Sequence, residues 1–431
     1  VTPAARLEAA IEILGNLGET HAPVDRFLRD WFRARRYAGS KDRANVGERV
    51  FTILRRKASL GYRMSGDNPR ALVIASLLAE GKSEAEIDTL FDGSRYAPAQ
   101  LSNEERASLR APPHDKPPLH VQGDFPAFLE NELHRAFGED LLSEMLAMCE
   151  RAPIDLRVNT LKASRDDVLA TLQADGYATK ATLYSPHGIR IPAGEGLSSL
   201  SRHPAFESGL FEFQNEAAQI ASLLADPKPG MRVLDLASGA GGKALALAAE
   251  MQNKGEIIAA DTDSKRLAQI APRAARAGAM IIYTHHIMQE LPRGPFDIVF
   301  VDAPCSGSGT WRRQPELKWR ISQKRIEELN IVQDSLLDQA ASQVMHQGHI
   351  VYATCSVLPS ENEDRITRFL QRHPGFTRVS AAERAASMNP AQSIPGVHDL
   401  FRASPYLTRM DGFFVSILMR TEPVRGPGGL S

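Results

Sequence analysis

Apolar residues recur at three- and four-residue spacing near the start of the chain, in "AARLEAAIEIL", "VDRFLRDWFRARRY", "RANVGERVFTILRRKASLGYRM" and "PRALVIASLLAEG". Such spacing gives each segment one apolar stripe and predicts a set of packed amphipathic helices. The proline-rich stretch "PPHDKPPLHVQGDFP" (112–126) interrupts the pattern and reads as a linker. A mixed region follows, with helix "FLENELHRAFGEDLLSEMLAMCERA", strand "IDLRVNT", helix "RDDVLATLQADG" and short strands toward "GLFEFQ". After Pro229-Gly230 the pattern becomes strand–helix alternation. "RVLDLA" precedes "GKALALAAEMQ", "GEIIAAD" precedes "SKRLAQIAPRAARAG", and "MIIYTH" comes next. "FDIVFVDAP" precedes "QKRIEELNIVQDSLLDQAASQVM", "GHIVYATC" precedes "ENEDRITRFLQRH", and "GFFVSILMR" is last. The fold class this predicts is α/β, a parallel sheet with helices on both faces and a ligand at the carboxyl ends of its strands. The expected domains are 1–110, helical; 111–225, α+β; and 226–425, the alternating domain.

Composition changes this picture in two places. Net charge over all 431 residues is −1, which gives the whole molecule no pull toward a polyanion. From Arg26 to Lys57, however, eleven Lys/Arg stand against three Asp/Glu, a local excess of +8. The three cysteines make no disulfide framework and have no zinc-ligand spacing, so free thiols in a reducing cytoplasm and no metal are expected. No apolar run reaches the ~20 residues of a membrane helix. The opening "VTPAARLEAAIEILGNL" has the pattern of an amphipathic helix, not of a signal peptide.

"LDLASGAGGKALALA" (234–248) reads as strand, glycine-rich turn and helix. Gly239, Gly241 and Gly242 allow backbone N–H groups to approach a ligand. Asp261 ends the next strand, at the distance expected of a carboxylate that holds ribose hydroxyls. A phosphate-cradling P-loop is excluded, because position 237 is alanine where a glycine is needed and position 244 is alanine where Ser or Thr is needed. The G-x-G-G spacing also departs from the dinucleotide pattern, although a dinucleotide stays open on this segment alone.

Cys149, in "MLAMCERA", reads as a small buried hydrophobe. Cys305 in "DAPCSGSGT" and Cys355 in "VYATCSVLP" differ, since both stand where strands give way to loops rich in Ser, Thr, Gly and Pro. An ordinary thiol is only about 3% ionised at pH 7, and a cation such as Lys243 nearby would raise that fraction. Two thiols beside a carboxylate, Asp302, suit methyl transfer to carbon 5 of a pyrimidine. Carbon 5 is a poor nucleophile until a thiolate adds at carbon 6, and the adduct then needs a second base to remove the carbon-5 proton.

"DAPCSGSGTWRRQPELKW" with "VYATCSVLPSENE" resembles the paired signature of the Sun/Fmu-type RNA cytosine-C5 methyltransferases, in particular the bacterial 16S rRNA branch. "DLRVNTLKASRDDVL", "GLFEFQNEAAQ", "LDLASGAGGK" and "MDGFFVSILMR" match the same pattern. "GSKDRANVGERVFTILRRK" resembles the family's NusB-like RNA-binding domain. The resemblance implies a Rossmann-like class I methyltransferase domain, preceded by a NusB-like domain and a small RRM-like α+β domain. It implies S-adenosyl-L-methionine as cofactor.

Carried over, Cys355 is the nucleophile and Cys305 helps release the product. Asp302 contacts cofactor or base, and Asp261 holds the ribose. Ala237, Ser238, Gly239, Ala240, Gly241, Gly242 and Lys243 surround the methionine end, and Arg266 stands where an arginine lies near the cofactor. Two departures are visible. The family's "CAAPGGKT" reads "ASGAGGKA", and Ile287 occupies the place of an aspartate that would meet adenine.

For RNA, the sequence offers Arg35 and Arg36 in the basic segment, and Arg312, Arg313 and Lys318 between Trp311 and Trp319 beside the thiol loop. Aromatic stacking and phosphate contacts are the expected roles. The target cytosine must leave its stack to reach a thiol, which favours single-stranded or loop RNA. The expected species is a monomer acting on 16S rRNA. The alternatives are the same chemistry on tRNA, or an RNA-binding assembly factor without activity, which Ile287 keeps open. DNA cytosine methylation is disfavoured by the second thiol.

Overall fold

The computed structural model describes residues 1–20, 22–35, 38–111, 116–194, 197–288, 290–388 and 393–422. The chain forms two compact units, Val1–Glu150 with Trp311–Ile321, and Arg151–Thr310 with Ser322–Ser431. The division between them falls after Glu150, inside the expected 111–225 segment. The reason is burial: helix Leu141–Met148 packs Met145 and Met148 away from water, and the adjoining Cys149 donates to the Arg55 carbonyl of the helical unit at 3.2 Å. Among the described residues no helix is long and apolar enough to cross a membrane.

In the first unit the stripes of Pro3–Leu17, Val24–Ala34, Ser40–Arg55 and Pro69–Ala79 meet in one core around Ile13, Val50, Ile53 and Ile74. In the second unit a four-stranded antiparallel sheet comes first, from β1 (Ile154–Val158), β2 (Lys180–Ala181), β3 (Gly188–Ile191) and β4 (Phe211–Phe213), ordered β2-β3-β1-β4. The main sheet then takes β5 (Arg232–Leu236), β6 (Glu256–Asp261), β7 (Ile282–His286), β8 (Phe296–Asp302), β9 (Val344–Thr354), β10 (Phe376–Val379), β11 (Phe401–Ala403) and β12 (Phe413–Arg420). Its order is β10-β12-β9-β8-β5-β6-β7, with β11 beside β12. The pairs from β9 through β7 are parallel, whereas β12 runs antiparallel between β9 and β10. That is the Rossmann-like class I arrangement implied by the resemblance.

Strand periodicity decides which side chain feeds which face. Ile298, Phe300, Val351 and Ala353 enter one apolar layer with helices Glu216–Leu224 and Gly242–Glu250. Val299, Val301, Ile350 and Tyr352 enter the other, with Gln323–Gln343 and Glu363–Arg372. Burial on both faces explains why these strands are almost continuously apolar. The order reverses at β5, so the loops after β5 and β8 flank a crevice of the kind where open α/β sheets bind ligands.

Candidate active site

The turn after β5 is built by backbone geometry. Gly239 and Gly241 have φ of 58° and 78°, a region that side chains disfavour. A Cβ on Gly239 would also lie 2.4 Å from the Arg266 guanidinium. The Gly239 N–H donates to Asp261 Oδ2 at 2.7 Å, and Asp263 N–H to Oδ1 at 2.8 Å. Asp261 thus fastens the turn to β6.

At the foot of the turn Asp235 is fully buried and accepts from the Ser238 hydroxyl at 2.6 Å. Burial above all, aided by the charge of Asp302, pushes its carboxyl up to about 7. Its Oδ1 has no donor in bonding geometry. Two arginines absent from the sequence reading hold the turn from behind. Arg157 of β1 donates to the Gly242 carbonyl at 2.9 Å, and Arg273 donates to the Ala240 carbonyl. Burial lowers Arg157 to about 10. Its signal was a charged residue inside the apolar alternation of "DLRVN".

The two thiols converge because β8 and β9 are parallel neighbours that end at the same edge, with Asp302 paired to Ala353. Cys305 Sγ and Cys355 Sγ lie 3.4 Å apart, both half-buried. The loop bearing Cys305 is drawn in by Gly309, whose N–H donates to the Cys355 carbonyl at 2.9 Å. A Cβ there would sit 2.1 Å from the Gly412 carbonyl oxygen, which accounts for the second glycine of "SGSG". Lys243 makes an ion pair with Asp302. The Cys305 thiol is raised, not lowered. Its hydrogen bond with Cys355 is the main cause, with burial and the charges of Cys355 and Glu361 adding to it.

Glu361 was missed. It lies on the turn Pro359–Glu361, fully buried, and receives Ser306 N–H at 2.8 Å, both the Ser306 and Ser356 hydroxyls, and Gln333 Nε2 at 3.2 Å. The available signal was that each site cysteine is followed by a serine. Ile287 donates its backbone N–H to the Asp261 carbonyl at 2.9 Å and packs its side chain into the apolar layer with Ile258 and Leu291.

Of the expected RNA residues, Arg36 lies outside the described residues. Arg35 pairs with Glu12 and stacks over Trp31 at 3.9 Å. Trp311, Arg312 and Lys318 are buried within the helical unit, and Arg313 is half-buried. Lys318 Nζ donates to the Arg55 carbonyl at 3.1 Å, and burial lowers its pKa. Trp319 Nε1 donates to the Leu54 carbonyl at 2.6 Å. Of these, Trp319 packs against the helical core. Exposed cations of the first unit include Arg26, Arg29 and Arg33, which with Asp30 line a 520 Å3 hollow on one side of helix Val24–Ala34.

The turn fits S-adenosylmethionine. A close-approach glycine backbone and a carboxylate, Asp261, at the next strand tip are groups that could hold such a ligand. Fold and site define an S-adenosylmethionine-dependent RNA methyltransferase. The model described as 16S rRNA methyltransferase RsmB/F matches residues 222–419, and the RsmF/B-like ferredoxin-like domain matches 125–195.

The chain is 30% identical to the probable ribosomal RNA small subunit methyltransferase B of Synechocystis, over 71% of this chain and 69% of that protein. It is 32% identical to ribosomal RNA small subunit methyltransferase B of Escherichia coli, over 68% of this chain and 66% of that one. The crystal structure of PH0851 superposes with a TM-score of 0.76 at 26% identity, covering 97% of this chain and 99% of that one. This chain belongs to the RsmB/F family of rRNA methyltransferases.

Proposed function

We propose that the chain methylates carbon 5 of a cytosine in single-stranded or loop 16S rRNA, as a cytoplasmic monomer without a metal. The observation that carries this reading is the pair of sulfurs 3.4 Å apart at adjacent strand tips. Ala237, Ser238, Gly239, Ala240, Gly241, Gly242, Asp261 and Arg266 would hold S-adenosylmethionine, which when bound supplies the electrophilic methyl group.

Cys355 Sγ adds to carbon 6 of the extruded base, and the C5–C6 electron pair moves onto carbon 5. Asp302, kept oriented by Lys243, accepts a hydrogen bond from the exocyclic amine of the base and so orients the ring against Cys355. Once Cys355 is bonded to carbon, it no longer raises the Cys305 thiol by hydrogen bond and charge. Cys305 can then ionise and take the carbon-5 proton. The electrons left behind rebuild C5=C6, and the C6–S bond breaks to return the Cys355 thiolate. Arg26, Arg29 and Arg33 are the phosphate contacts in this reading.

The test is Cys305→Ala with rRNA and cofactor. A covalent protein–RNA adduct should accumulate as a slow band on a denaturing gel. Free release of methylated RNA at the wild-type rate would overturn the role of Cys305.

A further inference from the structure

Each cysteine loop is soft by composition, yet the two sulfurs must meet one carbon–carbon bond. One carboxylate, Glu361, bonds to both loops. We propose that Glu361 is a positioning residue that brackets the two cysteine loops, fixing both thiols against the same base; this rests on the covalent reading above. Each arm of the bracket is the residue that follows a cysteine. The residue after Cys305 gives Glu361 its N–H at 2.8 Å and its hydroxyl, and the residue after Cys355 gives its hydroxyl.

Gln333, reaching from helix Gln323–Gln343, donates to Glu361 Oε1 at 3.2 Å and to the Pro304 carbonyl at 3.0 Å, so the helix behind the sheet holds both carboxylate and loop. Ser308 Oγ bridges the loops a second time, 2.9 Å from Ser356 Oγ, and accepts from Val357 N–H at 2.9 Å. Tyr352 closes the frame by donating its hydroxyl to the Glu361 carbonyl at 2.7 Å.

A neutral hydrogen-bonding residue could join two loops. A carboxylate does so with acceptors only, and it adds a negative charge beside Cys305. The groups facing Cys305 are Cys355 and Glu361, with Tyr352 behind them among Asp334 and Arg365. Glu361 therefore also helps to keep Cys305 protonated until Cys355 has reacted, which separates the roles of two chemically identical side chains.

The experiment compares wild type with Glu361→Gln and with the double variant Ser306→Ala/Ser356→Ala. Proximity is read by phenylarsine oxide, which bridges two adjacent thiols through two As–S bonds and releases its oxygen as water. Charge is read by the pH profile of Cys305 alkylation with iodoacetamide, measured in a Cys355→Ser background. Glu361→Gln should slow arsenical capture at least about tenfold and cut turnover about 100-fold, as a displacement of about 1 Å does, with KM for S-adenosylmethionine unchanged. It should also move Cys305 alkylation to lower pH.

The double variant keeps the charge, so it should lose capture without moving the alkylation profile. Capture by either variant at the wild-type rate, or an alkylation profile unmoved in Glu361→Gln, would overturn the bracket. Capture involves no turnover, so it fails independently of the covalent reading, whose own failure would appear as turnover by Cys355→Ala.

Discussion

Residues 302–310 and 311–319 form one uninterrupted stretch of sequence with one style of composition, yet they end in different bodies. The first part carries Cys305 to a strand tip of the catalytic unit. The second is built into the helical unit, where Trp311 is fully buried and Lys318 is bound to a backbone carbonyl. Tryptophans interleaved with cations look like an RNA platform. Here they are a plug. The difference teaches that a residue type signals chemistry only where the fold leaves it an opening. A thiol at the end of a parallel strand has one, whereas a lysine whose four methylenes can join a core is held there if its ammonium finds a carbonyl.

Five variants test this contrast. Cys355→Ala should abolish methyl transfer with RNA binding intact in a filter assay, and retained turnover would remove the nucleophile from the strand tip.

Asp235→Asn should change how stability depends on pH. The folded state keeps the Asp235 proton up to about 7, against an ordinary value of 3.8. Folded protein thus binds more protons than unfolded protein in that window, and this group's contribution is lost as pH rises from about 4 to about 7. The asparagine variant should lack that loss, which is up to about 4 kcal/mol. Urea titrations at pH 5 and pH 8 measure it, and equal pH slopes in both proteins would refute it.

Lys318→Ala should cost about 2–4 kcal/mol of stability in the helical unit without altering the salt dependence of RNA binding. A normal melting temperature with a shallower salt slope would make Lys318 an RNA contact after all. The smallest effect is expected at the surface. Arg26→Ala/Arg29→Ala should weaken RNA binding about 3- to 10-fold and lower the logarithmic salt slope by about 2. Arg35→Ala, already paired with Glu12, should leave that slope unchanged.

Much of the catalytic unit was legible because its signals are local. Apolar runs alternating with amphipathic helices dictate a parallel sheet, and a parallel sheet dictates that loops after β5, β6, β8 and β9 share one edge. Asp261, Lys243 and the glycine turn were readable for that reason. Arg157 and Glu361 were not. One reaches the turn from a separate sheet and the other reaches back to a loop 55 residues earlier, and neither distance leaves a trace in periodicity. For Lys243 the sequence offered both a thiol and a carboxylate as neighbours, and packing pairs it with Asp302.

By itself, then, the sequence determined the strand-and-helix order, the strand tips that carry the thiols and the family to which the chain belongs. The tertiary structure alone decided which charges meet which partners, where the chain divides, and that residues 311–321 join the helical unit. Backbone pattern follows from neighbours a few residues apart, whereas the fate of a long polar side chain depends on competing burial and pairing across hundreds of residues.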